Sequence, residues 1–142
     1  GGGLAGLFTA LKLAPYPATV LVNARAGGSG SSVWAQGGVA AAMGPDDSWE
    51  LHAADTDAAG AGLCDPARTA MLAKEAPARV ADLLAMGVPL DRNADGSLSM
   101  GLEAAHSRHR IAHVGGDRAG LVITRTLADA AKQQVPVIVR IK

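Results

Sequence analysis

The sequence is poor in aromatic residues, in cysteine and in net charge. Aromatic residues make up 3% of the 142 positions, so the core must be built from Ala, Leu, Val and Ile, which suits tightly packed α/β layers. The 13 basic residues balance the 13 acidic ones, which argues against a nucleic-acid-binding protein that relies on bulk charge. A single cysteine excludes an intramolecular disulfide and favours a reducing compartment, so we expect a cytoplasmic protein.

Long apolar runs and an N-terminal methionine are also missing. No apolar run reaches the ~18 residues of a membrane span, and no signal peptide is recognisable. The chain has no initiator Met and opens inside a glycine loop, which in other proteins follows a buried strand. We therefore expect residues 1–142 to be part of a longer domain whose first strand is missing.

The opening residues fit the pattern G-x-G-x-x-G: Gly1, Gly2, Gly3, Leu4, Ala5 and Gly6. Apolar residues at helical spacing then predict a helix over residues 4–14, which Pro15 ends. Residues 18–22 are apolar and β-branched, which predicts a buried parallel strand. Loop, helix and strand form a Rossmann-like α/β unit, in which the helix N-terminus presents backbone N–H groups to a pyrophosphate.

The end of that strand departs from the usual dinucleotide-binding pattern. An acidic residue there normally bonds the ribose hydroxyls, but this chain has Asn23 and Ala24. Asn23 can bond a hydroxyl, though more weakly than a carboxylate. The departure counts against an ordinary NAD-dependent dehydrogenase.

A second stretch begins with small polar residues and ends in a glycine pair: Ser31, Ser32, Val33, Trp34, Ala35, Gln36, Gly37 and Gly38. A glycine pair lets backbone N–H groups approach a flat or anionic ligand. We interpret Trp34 as an aromatic of the buried type, which argues against a mere surface linker over residues 25–32. The two glycine-bearing stretches are predicted to line one dinucleotide.

The rest of the chain predicts more helices and a second strand. Helices are expected over 49–59, about 66–86 and about 118–134, the first capped by one of residues 46–48 and the second by Asp65. Pro77 is expected to kink the second of these or to break it into two. Residues 93–96 predict a hairpin turn, and residues 137–141 a strand parallel to 18–22.

Residues 101–118 are rich in histidine and arginine and contain Glu103. His106, His109 and His113 would share one face of a helix, so a metal site is one hypothesis, but the nearby arginines would repel a cation and we predict no metal. A solvated basic surface is another. We favour a pocket wall in which arginines bind an anionic ligand and Glu103 receives a substrate ammonium group.

Four segments together resemble the succinate dehydrogenase/fumarate reductase flavoprotein family. Residues 31–41 are similar to its flavin-binding segment and residues 1–7 to its dinucleotide loop. Residues 59–65 and 101–113 are more particular to the aspartate oxidase branch. The resemblance covers nearly the whole chain, and it implies that residues 1–142 are the N-terminal part of a Rossmann-like FAD-binding domain, a parallel sheet with helices, without the capping and C-terminal helical domains.

The resemblance also implies a cofactor and a substrate contact. Family members with covalently attached flavin carry His where this chain has Ser31, so noncovalent FAD is implied. FAD would be bound by the two glycine-bearing stretches and by Asn23 and Ala24. At the position of Ala24, some members have a basic residue instead. Glu103 matches a family glutamate associated with the substrate's amino group, although Ala104-Ala105 replaces the Gly-Gly that many members have.

The activity implied by the resemblance is oxidation of L-aspartate to iminoaspartate in NAD biosynthesis, with O2 or fumarate reoxidising the flavin and quinolinate synthase as a partner. The family's catalytic arginine lies in segments outside these residues, so no catalytic residue is expected here and the 142 residues alone should be inactive. Two alternatives remain: a soluble fumarate reductase with noncovalent FAD, and a non-catalytic nucleotide-binding module.

Overall fold

The computed structural model describes residues 1–23 and 26–134, and the backbone of residues 137–140. Its α-helices are α1 (Leu4–Lys12), α2 (Trp49–Gly60), α3 (Pro66–Ala85) and α4 (Ala119–Gln134). Its strands are β1 (Thr19–Val22), β2 (Val39–Ala40), β3 (Met100–Gly101), β4 (Ile111–Ala112) and β5 (Val137–Arg140), and a 3₁₀ helix spans Ser31–Trp34. Among the helices of this described part, none has the length and hydropathy needed to cross a bilayer.

The chain divides into two compact units, of which the first comprises Gly1–Gly37, Ala85–Pro89 and Val114–Lys142. Here β1 and β5 pair in parallel, with Thr19 opposite Val137. Parallel strands need a long crossover connection, and α4 directly precedes β5. The predicted parallel pairing is confirmed; residue 141 of the predicted strand lies outside the described residues.

Helices α1 and α4 supply the core of the first unit. Leu7 of α1 and Leu127 of α4 are fully buried, with Ile123 and Ala131 on the same face of α4. The spacing of these three α4 residues, i, i+4 and i+8, is the apolar stripe that predicts a core-facing helix. Both helices are confirmed, and α1 ends two residues earlier than expected.

The second unit comprises Gly38–Leu84 and Leu90–His113. It contains α2, nearly all of α3 and a three-stranded antiparallel sheet in the order β2-β4-β3. The sequence predicts a hairpin turn at 93–96, and Arg92 does pair with Leu98 across it. It does not predict the sheet, because strands of two residues carry no recognisable alternation of apolar and polar positions.

The N-terminal ends of α2 and α3 are capped by the expected side chains. Ser48 Oγ accepts a hydrogen bond from the Leu51 N–H at 3.3 Å, and Asp65 Oδ1 accepts one from the Ala67 N–H at 3.0 Å. Such side-chain acceptors satisfy N–H groups that have no partner within the helix. Helix α3 runs unbroken through Pro77, so of the two expected outcomes the break into two helices is wrong and the kink stays a prediction.

The continuity of α3 has a physical reason. Pro77 costs the helix one hydrogen bond, but its fixed φ is compatible with helical backbone. Ala73 before it and Val80 after it are both buried, at 3% and 0% exposure. Apolar packing on both sides of the proline therefore holds the two halves in one helix.

Candidate cofactor site

The glycine loop leads directly into α1 in the first unit. Gly3 is the N-cap residue and has no side chain with which to cap this end, and the first turn carries no acidic residue. The positive end of the helix dipole is therefore not neutralised by a local carboxylate, which suits an anionic group such as a pyrophosphate.

Two of the loop glycines are required by close packing. A Cβ at Gly6 would lie 2.0 Å from the carbonyl oxygen of Gly1, and one at Gly2 would lie 2.7 Å from Cγ1 of Val22. Real Cβ atoms do not approach other atoms so closely. The loop can lie against the start of α1 and the end of β1 only with glycine at these positions.

The glycine loop meets the second glycine-bearing stretch. The backbone N–H of Leu4 donates to Oγ of Ser32 at 3.2 Å. A Cβ at Gly3 would lie 2.9 Å from the same oxygen, so the approach needs glycine here as well. The structure thus brings together the two stretches that the sequence analysis places around one dinucleotide.

The 3₁₀ helix of the second stretch rests on the first turn of α4. The Gly120 N–H donates to the carbonyl oxygen of Ala35 at 3.0 Å. A Cβ at Gly120 would lie 2.2 Å from the Ser32 oxygen and 2.6 Å from the Ala35 oxygen. Sequence reasoning missed this supporting role of Gly120; a glycine in the first turn of an otherwise strong helix was the available signal.

The side chains of the second stretch are mostly exposed. Trp34 is 81% exposed, so its interpretation as a buried-type aromatic is wrong. The reason is that the 3₁₀ helix packs on α4 through the backbone of Ser32 and Ala35, which leaves the indole outside. Gln36 and Gly37 follow in exposed, irregular backbone, and a Cβ added at Gly37 would have no atom of the described part of the chain within 4 Å besides its chain neighbours.

The other predicted site residues are placed as follows. Asn23 is exposed directly after β1, Val33 is half-buried, and Ala24 lies outside the described residues. Gly38 and Glu103 belong to the second unit. Within that unit, a Cβ at Gly38 would lie 2.4 Å from the Ala112 oxygen, so this glycine is needed for the chain to run against β4.

Arg110 of the second unit is a buried structural residue and does not face an anion-binding pocket. Its side chain is 0% exposed and its Nε and Nη2 donate to both oxygens of Asp47, at 2.9 and 2.7 Å. Its Nη1 donates to Oδ2 of Asp55 at 2.7 Å. Because Arg110 is already occupied by two carboxylates, its predicted role in a wall of arginines is wrong. Arg108 is half-exposed, and its Nε lies 3.7 Å from Oδ2 of Asp46, so its role in anion binding stays a prediction.

Asp55 receives three hydrogen bonds on one oxygen. Its Oδ2 accepts from the Ser107 N–H at 2.7 Å and the Ser107 hydroxyl at 2.8 Å, in addition to Arg110. The backbone N–H of Ser107 is the main cause that lowers the pKa of Asp55, and the Ser107 hydroxyl and Arg110 lower it further. Hydrogen bonds to the charged form keep this carboxylate ionised.

Glu103 lies in the segment between β3 and β4. Its Oε1 is 3.6 Å from Nε2 of His113, and its side chain is 49% exposed. The His106 N–H donates to the Glu103 carbonyl oxygen at 3.2 Å, which closes a turn. Residues 102–110 form no helix, so the helical spacing behind the metal hypothesis is not realised in this described segment.

His52 of α2 is buried beside the Arg110 cluster. It is 8% exposed, and its ring centroid is 5.7 Å from that of His106. Burial is the main cause that lowers the pKa of His52 from 6.5, and the positive charge of Arg110 lowers it further. The neutral imidazole is therefore favoured at this position.

The chain matches a protein-family model and several curated proteins. The family model described as an FAD binding domain matches residues 1–141. Among curated proteins, the chain is 50% identical over 133 residues to an L-aspartate oxidase of Mesorhizobium japonicum, covering 94% of this chain and 26% of that protein. An L-aspartate oxidase of Caulobacter vibrioides is 50% identical over 143 residues, covering 99% and 28%.

Two solved structures are also similar to this chain. Sdh1 of Mycobacterium smegmatis, in complex with UQ1, matches with a TM-score of 0.86 and 32% identity, covering 97% of this chain and 26% of that chain. An E. coli quinol fumarate reductase matches with a TM-score of 0.88 and 26% identity, covering 96% and 24%. The chain therefore spans about a quarter of the length of these relatives.

Proposed function

The chain belongs to the family of FAD-binding domains, and on that basis we propose that it is the FAD-binding part of an L-aspartate oxidase. The proposed reaction is oxidation of L-aspartate to iminoaspartate in NAD biosynthesis. The identity of 50% to proteins named L-aspartate oxidase supports this substrate over those of the other relatives, which are 26% and 32% identical.

The observation that carries the proposal is the hydrogen bond from the Leu4 N–H to Ser32 Oγ. It joins the two stretches that a dinucleotide would need as opposite edges of one site. Besides the Leu4 N–H, which is bonded to Ser32, the start of α1 offers further N–H groups to the pyrophosphate. Gly37, which follows the 3₁₀ helix, leaves its backbone open to a flat ring system. The residues present therefore fit FAD.

We assign the individual contacts accordingly. Residues 1–6 are assigned to the pyrophosphate, Asn23 and Ala24 to the adenosine ribose, and residues 31–38 to the flavin. Ser31 carries no nucleophilic nitrogen of the histidyl type, which supports noncovalent FAD. Glu103, whose carboxylate is half-exposed, receives the substrate ammonium group.

FAD, when bound, supplies the acceptor for the two electrons that the substrate loses. The chain's own residues bind and orient: the glycine loop anchors the cofactor, and Glu103 holds the amino group of the substrate by an ion pair. L-aspartate loses two electrons and two protons to become iminoaspartate. Either O2, which becomes H2O2, or fumarate, which becomes succinate, takes them up.

We further propose that the protein works in the cytoplasm, as its single cysteine suits a reducing compartment, and that its unstable imine product passes to quinolinate synthase. A second candidate is a soluble fumarate reductase with noncovalent FAD, which the TM-score of 0.88 to a fumarate reductase favours.

One experiment separates these candidates. The full-length protein that contains this chain is purified, its flavin absorbance is recorded, and its turnover is measured with L-aspartate and with fumarate under a reductant. Oxidation of L-aspartate supports the proposal, whereas fumarate reduction without aspartate oxidation selects the second candidate. Acid precipitation should release all FAD into the supernatant; flavin retained in the pellet would contradict noncovalent binding.

A further inference from the structure

The segment between β3 and β4 carries Glu103 and is anchored from one side by α2. Asp55 of α2 accepts hydrogen bonds from the Ser107 N–H, the Ser107 hydroxyl and Arg110, at 2.7, 2.8 and 2.7 Å. Asp55 thus holds two points of this segment, 52 and 55 positions later in the sequence. Charge-assisted hydrogen bonds of this length are among the stronger ones in proteins.

The anchor is connected to Glu103 through one short turn. The His106 N–H donates to the Glu103 carbonyl oxygen at 3.2 Å, and Ser107 follows immediately. Within this turn Ala105 has a φ of 72°, a left-handed conformation that alanine rarely adopts. The turn is therefore not favoured by its own residues, and contacts outside it must hold it in place.

The Glu103 carboxylate has little to fix it at its own end. It is 49% exposed, and its distance of 3.6 Å from Nε2 of His113 exceeds that of a good hydrogen bond. Its position consequently depends on the backbone of residues 103–107. That backbone depends in turn on Asp55.

We propose that Asp55 is a positioning residue for Glu103, and that through Glu103 it sets the preference for a substrate with an ammonium group. The inference rests on the proposed function for the identity of the substrate. Asp55 does not touch substrate in this scheme; it fixes the segment from which the Glu103 carboxylate reaches the amino group.

The test uses Asp55→Asn in the full-length, FAD-containing protein. Asparagine keeps the size of the side chain but removes its charge, which weakens the bonds to Ser107 and Arg110. Asp95→Asn is the matched control, because Asp95 also accepts from a serine N–H and hydroxyl, those of Ser97 at 2.9 and 2.6 Å, within the hairpin turn.

Two substrates separate positioning from general damage. L-aspartate carries an amino group, and fumarate does not. Asp55→Asn should raise the KM for L-aspartate about tenfold, with kcat and the KM for fumarate changed less than about twofold, since misplacing an ionic hydrogen bond costs about that factor. Asp95→Asn should change none of these values.

Amide hydrogen exchange of residues 102–110 supplies a readout independent of turnover. We expect faster exchange in Asp55→Asn and unchanged exchange in Asp95→Asn. Equal rises of both KM values, loss of FAD, or unchanged exchange in Asp55→Asn would overturn the inference. If the unmodified protein does not oxidise L-aspartate, the proposed function and the selectivity part fail together, while exchange still decides whether Asp55 orders the segment.

Discussion

The backbone N–H of Leu4 donates a hydrogen bond to Oγ of Ser32, a residue 28 positions later in the sequence. The hydroxyl takes the place of a side-chain cap, which Gly3 cannot provide to α1. One serine therefore connects the start of the first helix with the segment that the proposed flavin site requires.

Ser32→Ala should weaken both the fold and the cofactor site. Loss of a helix-capping hydroxyl costs about 1 kcal/mol in the free energy of unfolding. We expect that loss in urea titrations of the full-length protein, together with a higher Kd for FAD in fluorescence titrations. Ser29→Ala, just before the 3₁₀ helix, is the control, with a change of less than about 0.5 kcal/mol; equal effects of the two variants would contradict the prediction.

Gly37→Ala should separate cofactor binding from stability. Apart from its two chain neighbours, no atom of the described residues lies within 4 Å of the added methyl group, so the Tm of the FAD-free protein should stay within the error of the measurement. If the backbone of residue 37 contacts the flavin as proposed, the same methyl group should raise the Kd for FAD. An unchanged Kd would remove Gly37 from the proposed site.

Arg110→Met should be strongly destabilising because it leaves the carboxylate of Asp47, which is 0% exposed, without a counter-charge. Removing one partner of a buried ion pair costs about 3–5 kcal/mol. Arg108→Met is the matched control: its ion pair with Asp46 is exposed, and such pairs contribute about 1 kcal/mol or less. The free energy of unfolding, measured in urea at neutral pH, should therefore fall much further in Arg110→Met than in Arg108→Met. Similar losses in both variants would show that the buried ion pair of Arg110 does not stabilise the fold more than the exposed one.

His52 should make the protein less stable in mild acid. Burial lowers its pKa below 6.5, so between the folded pKa and 6.5 the unfolded chain binds a proton that the folded chain does not. Above pH 6.5 the neutral His52 therefore takes nothing from the free energy of unfolding. That free energy decreases as the pH falls from 6.5 towards the folded pKa. The pKa of Asp55 is lowered from 3.8, so that group destabilises the fold only in stronger acid.

The measurement is the free energy of unfolding at about pH 7.5 and about pH 5.5. His52→Gln should reduce the loss between these two pH values, because glutamine does not titrate. His109→Gln is the control at an exposed histidine. If His52→Gln retains the full acid-dependent loss, the titrating group is another residue.

Local sequence signals predicted much of the fold. The capping residues Ser48 and Asp65, and the apolar stripe of α4, each act over a few positions and are visible in the sequence itself. The FAD-binding domain and the parallel pairing of β1 with β5 are confirmed. The contact between residues 3–4 and Ser32 agrees with the predicted arrangement of the two stretches.

The wrong predictions concern residues whose surroundings are set by contacts between distant positions of the sequence. Arg110 looked like a ligand-binding arginine because its partners Asp47 and Asp55 are 63 and 55 positions away in the sequence. Trp34 looked buried because the packing of the 3₁₀ helix through its backbone leaves no pattern in the side chains. The assigned cofactor contacts and the role of Glu103 remain predictions.

The wide sequence separation within the Arg110 cluster also bears on biosynthesis. Asp47 and Asp55 leave the ribosome long before the cation that neutralises them, since Arg110 follows them by 63 and 55 positions. Until then, the two anions would have to approach each other without compensation. A nascent chain that stops short of position 110 therefore cannot complete the second unit, and its premature release would yield material for proteolysis rather than a smaller folded protein.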